Sequence, residues 1–429
     1  MDRPLAERLK ALEKSISFHT PGHNGGVVDF LPFSAAGFMR FDLTETYGTD
    51  NLLEPETVIL DSERATGACY GTGPVMYSTA GATALIQSAV WANRDKRILI
   101  AGAAHKSVYN AVRISGAEAY QSVGLDIASA IALSRAEAVI VTSPDYFGRC
   151  ADLAAVSEAA RTSGAVLIVD ASHGAHFAFS TILPDSATEY ADIVIHSMHK
   201  TMPVFTGGAI MHSPEKERGK YMEAFALFHT TSPSYPVMLS IEGAAAKFKS
   251  DGEAMYARVA ERLELFKEKI KNTPYTVAAT SDPTRLVLEA PAFGGELYRA
   301  LVNAGIYAEL YTPDEVVFIV TPYNDDKLEN LSAAIRAVPY GGSGKKEEGI
   351  SRAPEIFRLA FPSESERVPV SNALGRVVAT PVGMYPPGTP TLFPGEEIGA
   401  EELEILKKLS RLPAERVFGL ENGSVNVVK

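Results

Sequence analysis

"AVLIVDASHGAHF", residues 165–177, and "ADIVIHSMHK", residues 191–200, decide how the chain is read. Each contains a short, continuous, β-branched run, "AVLIVD" and "DIVIHS", of the kind found in strands buried on both faces of a parallel sheet. Each run ends in polar residues: Asp170, Ser172, His173 and His176 after the first, and His196, Ser197, His199 and Lys200 in the second. Four of the chain's nine histidines thus gather near carboxyl ends of strands, where open α/β sheets bind ligands.

Working outward, "RILIAG", "AVIVTSP" and "GAIMHS" read as further strands, and "GATALIQSAVWANR", "KSVYNAVRISG" and "LAAVSEAARTSG" read as helices between them. This alternation predicts an α/β fold with a doubly wound, mostly parallel sheet. A long helical stretch from Ser240 leads to "RLVLEA", "YAELYT" and "EVVFIVTP", which predict a smaller C-terminal α/β domain. The expected divisions are an N-terminal arm (1–54), a large domain (55–271) and a small domain (272–429). "GGSGKKEEG" (341–349) reads as a loop within the last of these.

The composition excludes several classes of function. With 429 residues and 46% hydrophobic content the chain can fill two substantial cores. A formal charge of -12, with forty Lys and Arg scattered rather than clustered, argues against nucleic acid as a partner. No run of eighteen apolar residues predicts a membrane span, and the amphipathic first residues lack a secretory h-region, so a cytoplasmic protein is expected. Cys69 and Cys150 are expected to be free thiols. His19 and His23 are four apart, but Pro21 and Gly22 break any helix between them and no third ligand is evident. No metal site is expected.

A strand-end lysine thirty residues beyond a strand-end aspartate suits one chemistry in particular. A lysine amine can form a Schiff base with pyridoxal 5'-phosphate (PLP), and a carboxylate on the pyridine nitrogen then makes the ring an electron sink. Lys200 and Asp170 fit those roles. Ser197 and His199 stand beside the lysine as phosphate donors, and His105, after "LIAGAA", offers a ring to stack on the cofactor.

In order along the chain, "FHTPGHNGG", "DLTETYGTDNL", "AAHKSVYNA", "VTSPDYFG", "VDASHGAHF", "HSMHKTMPVFTGGA", "TTSPSYP" and "YPPGTPTLFPGE" resemble the motifs of bacterial PLP-dependent ornithine/lysine/arginine decarboxylases of fold type I. The resemblance spans roughly residues 17–397 and is to the short form, without a receiver-like amino-terminal domain. It implies that Lys200 is the Schiff-base lysine, Asp170 the partner of the pyridine nitrogen, and His105 the stacking ring, with Ser172 under the opposite face. Ser197 and His199 then hold the phosphate or steady the lysine.

The chain departs from the family where the first large-sheet helix opens with "STAGATALIQ" in place of hydroxyl-rich residues. Backbone N–H groups of Gly81, Ala82 and Thr83 can still bind a phosphate there. Ala171 and Asn24 replace the family's usual Glu and Lys, and Thr380 stands where many members have an acidic residue, which bears on substrate preference.

The expected activity is decarboxylation of a basic L-amino acid, a small-molecule substrate, to a polyamine precursor. Another fold type I reaction such as aminotransfer, or a catalytically impaired regulatory homologue, are the alternatives. Asp42, Glu45, Asp50 and Glu309 are candidates to meet the substrate's distal cation. A homodimer or an assembly of dimers is expected, with the arm and "FHTTSPSYP" completing a neighbour's pocket through Thr230 or Thr231.

Overall fold

The computed structural model describes residues 16–18, 41–45, 49–342, 353–385 and 388–429. His19, His23, Asn24, most of the arm and most of the 341–349 loop lie outside the described residues.

An eight-stranded sheet carries the site. Its order is Glu355–Arg358, Ala119–Val123, Ile98–Ala101, Ala138–Thr142, Val166–Asp170, Ile193–His196, Ala209–His212 and Met76–Ser78. The five strands from Ala119–Val123 to Ile193–His196 are parallel; Glu355–Arg358 and Ala209–His212 run antiparallel to them, and Met76–Ser78, antiparallel to Ala209–His212, runs with the five. Alternation across each strand feeds two cores. Ile98, Ile100, Ile140, Ile168, Ile193 and Ile195 pack on one face, whereas Leu99, Val139, Val141, Leu167, Val169 and Val194 pack on the other. Both faces are therefore dry, which is why these strands read as unbroken apolar runs.

Helices Gly81–Ala92, Lys106–Ser115, Ile127–Ser134 and Leu153–Ser163 make the crossovers. Gly116 and Gly164 end two of them in the left-handed conformation. Strand order changes direction at Ile98–Ala101, whose two neighbours are the next two strands of the chain. The crevice at such a switch point, outside the carboxyl ends of the strands, is the ligand position of open α/β sheets.

Helix Tyr235–Ile270, 36 residues and about 54 Å long, leads to a four-stranded antiparallel sheet holding Arg285–Glu289 and Glu315–Ile319. The part beyond residue 271 holds more than one α/β unit. Glu355–Arg358 returns to the edge of the large sheet, and residues from Val370 to Val427 build a core of their own around helix Ala400–Leu409. Near the other end of the chain, Ile16–Phe18 lies parallel to Ile306–Ala308.

Candidate active site

All nine residues expected to act in catalysis or cofactor binding line one cavity of about 490 Å³: Gly81, Ala82, Thr83, His105, Asp170, Ser172, Ser197, His199 and Lys200. Each reaches it from the carboxyl end of a strand or the start of a helix. Asp170 is the last residue of its strand and pairs in register with Ile195 of the next, so the aspartate and the turn bearing Lys200 are neighbours.

The Asp170 carboxylate is buried, and its Oδ1 accepts from the backbone N–H of Ser172 at 3.2 Å and from the Ser172 hydroxyl. Ser172 thus orients the aspartate, a contact not foreseen beside its expected place under a cofactor ring. On Asp170's other side, in register, Thr142 Oγ1 is buried in the cavity wall and finds no hydrogen-bond partner among the described residues.

His105 caps helix Lys106–Ser115, its Nδ1 accepting from the Ser107 backbone N–H at 3.3 Å. Burial lowers its pKa to about 4, so its imidazole is neutral at physiological pH. Tyr385, Gly388 and Thr389 lie beside it: the Lys106 N–H donates to Gly388 O at 2.9 Å, and a Cβ on Gly388 would lie 3.0 Å from His105 Nε2. Gly388 has φ +82, so only glycine suits this closure on both counts.

No side chain caps helix Gly81–Ala92. The Gly81 N–H is already used, donating to Gly207 O at 2.7 Å. Of the three expected phosphate donors, the N–H groups of Ala82 and Thr83 are therefore the ones offered at the positive end of the helix. His229 braces the loop before them, its Nε2 accepting from the Thr79 N–H at 3.0 Å. His199 Nδ1 donates to Gly208 O at 3.1 Å.

Lys200 Nζ lies 3.0 Å from His173 Nε2 and 5.3 Å from the centre of the Tyr146 ring, which packs on His173. Burial lowers the lysine's pKa against the opposing pull of Asp170 and Glu309. Tyr146, Tyr385 and Thr389 also line the cavity. Their motifs were legible in the sequence, but nothing in periodicity or spacing marked these three residues as wall.

Of the acidic candidates for a substrate's distal end, Glu309 lines the cavity. Asp42 and Glu45 are exposed. Asp50 is occupied elsewhere, its carboxylate accepting from the N–H groups of Asn51, Glu56, Thr57 and Ile59 at the start of helix Val58–Cys69. His176 turns away from the cavity to Thr284 and Asp282.

The profile of the Orn/Lys/Arg decarboxylase major domain matches residues 4–121 and 126–293, and that of the C-terminal domain matches residues 350–416. The chain belongs to this family. Among relatives, it is 29% identical to "Uncharacterized protein YaaO" of Bacillus subtilis, covering 96% of this chain and 94% of that one. It is 28% identical to an arginine decarboxylase of Bacillus anthracis, over 92% of this chain and 90% of the other. Among solved structures, lysine decarboxylase A from Pseudomonas aeruginosa superposes with a TM-score of 0.74 at 16% identity, covering 99% of this chain and 82% of that one. A serine palmitoyltransferase described with a PLP internal aldimine superposes with a TM-score of 0.59 at 17% identity, over 75% of this chain and 88% of the other. The fold is that of fold type I enzymes.

Proposed function

We propose that the chain is a PLP-dependent decarboxylase of a basic L-amino acid. The observation that carries this reading is the convergence, in one cavity, of a lysine amine, a buried carboxylate and an open helix start. These groups suit an aldehyde, a pyridine nitrogen and a phosphate respectively, and the partnerless Thr142 hydroxyl beside Asp170 leaves room for a further polar contact.

Lys200 would hold the cofactor covalently, Asp170 would face its ring nitrogen, and Ala82, Thr83, Ser197 and His199 would take the phosphate. When bound, PLP supplies an electron sink for the pair released on breaking a bond to Cα. In the net reaction the Cα–carboxylate bond breaks, carbon dioxide leaves and Cα takes up one proton. The chain's own contribution is preorganisation. The Asp170 carboxylate is fixed by Ser172, so a proton opposite it is held without reorganisation. His105 is kept neutral by burial, so it adds a flat polarisable face without a charge that would compete with Asp170. Tyr146 and Tyr385 line the cavity and help keep water from the reacting carbon. Glu309 supplies an anion for the distal ammonium or guanidinium, which favours a basic substrate.

The test is to incubate the purified chain and PLP with lysine, arginine and ornithine separately, measuring carbon dioxide and 2-oxo acid. Stoichiometric carbon dioxide and amine from one of the three is expected. Release of 2-oxo acid instead would make it an aminotransferase, and bound PLP without turnover would make it an impaired homologue.

A further inference from the structure

The partner of Lys200 has a partner of its own. His173 Nε2 is 3.0 Å from Lys200 Nζ, while His173 Nδ1 is 3.2 Å from Nη2 of Arg285. Arg285 belongs to the four-stranded sheet and is 1% exposed, with Nε and Nη1 finding no acceptor among the described residues. A guanidinium has only N–H groups, so His173 Nδ1 must be the acceptor in that contact. An imidazole with a lone pair on Nδ1 is neutral and carries its proton on Nε2, which faces the lysine. An N–H there is a partner for a free amine, which has a lone pair, and a poor neighbour for an ammonium, which has none.

We propose that Arg285 and His173 together hold Lys200 as a free amine, ready to capture an aldehyde: Arg285 is a positioning residue that selects the tautomer, and His173 touches the reacting nitrogen. The inference rests on Lys200 being the carbonyl-capturing residue, and it is independent of the substrate decarboxylated.

The surroundings agree. The charged groups bearing on Lys200 are Asp170 and Glu309, which favour the ammonium, and Arg285, which opposes it; burial outweighs them and lowers its pKa. Burial lowers the His173 pKa well below its ordinary value, and the permanent charge of Arg285 acts in the same direction, so its imidazole is neutral. The register of Arg285 is also fixed. Thr284 Oγ1 is 3.1 Å from His176 Nε2, so two adjacent residues of one strand entry grip the loop holding both histidines. Gly148 (φ +76) allows the approach, because a Cβ there would lie 2.5 Å from Arg285 Cβ.

The experiment follows reductive methylation of each lysine in the cofactor-free full chain by mass spectrometry. The amine adds to formaldehyde, water leaves, and cyanoborohydride delivers hydride to the resulting carbon–nitrogen bond, so only unprotonated lysine reacts. The pH at half-maximal rate for Lys200 should lie below that of the surface lysines. In Arg285→Met it should rise by about one unit, an about tenfold loss of capture at pH 7. Arg285→Lys, which keeps a cationic donor, should restore it. The ¹⁵N spectrum of His173 should show protonated Nε2 and bare Nδ1 in the wild type, and a proton moving to Nδ1 in Arg285→Met.

A wild-type midpoint equal to that of the surface lysines would overturn the proposal. So would a protonated Nδ1 in the wild type, which is readable even if Arg285→Met does not fold. A shifted midpoint with unchanged tautomer would also overturn it, leaving only a charge effect. Failure of decarboxylation with all three amino acids would leave these readouts untouched and count against the proposed function alone.

Discussion

Asp170 and Lys200 make separable demands on the site. Asp170→Asn keeps the shape and removes the charge opposite the ring nitrogen, so kcat should fall by several orders of magnitude with PLP still bound; a small loss would mean another group serves that nitrogen. Lys200→Ala should abolish the visible absorption band of covalently held PLP, and turnover with it, while circular dichroism is unchanged. Two other buried histidines make stability depend on pH on the acid side. His196 and His212 meet edge to face with ring centres 5.1 Å apart, and neither ring nitrogen of His196 has a partner among the described residues. Burial lowers His212 to about 3, and burial with the neighbouring His212 puts His196 well below its ordinary value. Below about pH 6.5 the unfolded chain takes up protons that the folded chain refuses, so their contribution is full above that pH and is lost as pH falls. His196→Leu should therefore recover about 2 kcal/mol of the stability lost between pH 8 and pH 5. Urea titrations at the two pH values measure it, and an equal loss in wild type and variant would refute it.

At the scale of elements, helix Val58–Cys69 and helix Arg218–Phe225 are joined by a buried pair. Arg218 Nη2 meets Glu63, Arg218 Nη1 donates to Val75 O at 2.8 Å, and Glu63 Oε1 accepts from the Tyr77 N–H at 2.9 Å. Together they pin the edge strand Met76–Ser78, from which the phosphate-facing loop departs. Burial raises the Glu63 pKa to about 7 despite Arg218. Its folded value is above the unfolded one, so this group's contribution is full below about pH 4.5 and is lost as pH rises through 7. Arg218→Met should cost about 3–5 kcal/mol at pH 8 by leaving a buried charge unpaired, and less at pH 5, where Glu63 is protonated. Equal costs at the two pH values would show that Glu63 is not the group exposed by the change. The central strands were legible because burial on both faces leaves an unbroken apolar run. Glu355–Arg358 was not, since an edge strand with mixed exposure has no such run and its partner lies over 230 residues earlier. That Lys200, Asp170 and His105 share a cavity was legible because motif and strand end coincide. Arg285 was hidden because its meaning comes from a contact 112 residues away, and Asp50 misled because a carboxylate in a turn-rich stretch looks the same whether it meets a ligand or a helix start.

For the whole molecule, the described end of the arm and the start of the long helix are tied together: Tyr235 OH bonds to the main chain of Asp50. Val58 and Leu227, close to that junction in sequence, are 52% and 59% exposed. We expect a second copy to cover them, forming an obligate homodimer or an assembly of dimers whose apolar interface excludes water from the cavity. PLP content should fall as the protein is diluted to monomer, and a monomer in sedimentation that retains PLP and turns over would refute this. The place of Tyr385, Gly388 and Thr389 beside His105 carries a different consequence, one of timing. A ribosome adding ~5–20 residues per second needs roughly 10–40 s to travel from residue 200 to residue 389. Over that interval Lys200, Asp170 and the residues of the helix start have been synthesised, but Tyr385, Thr389 and Gly388, whose carbonyl accepts from the Lys106 N–H, have not. A chain stalled before residue 385 should therefore hold its cofactor less tightly than the finished chain does.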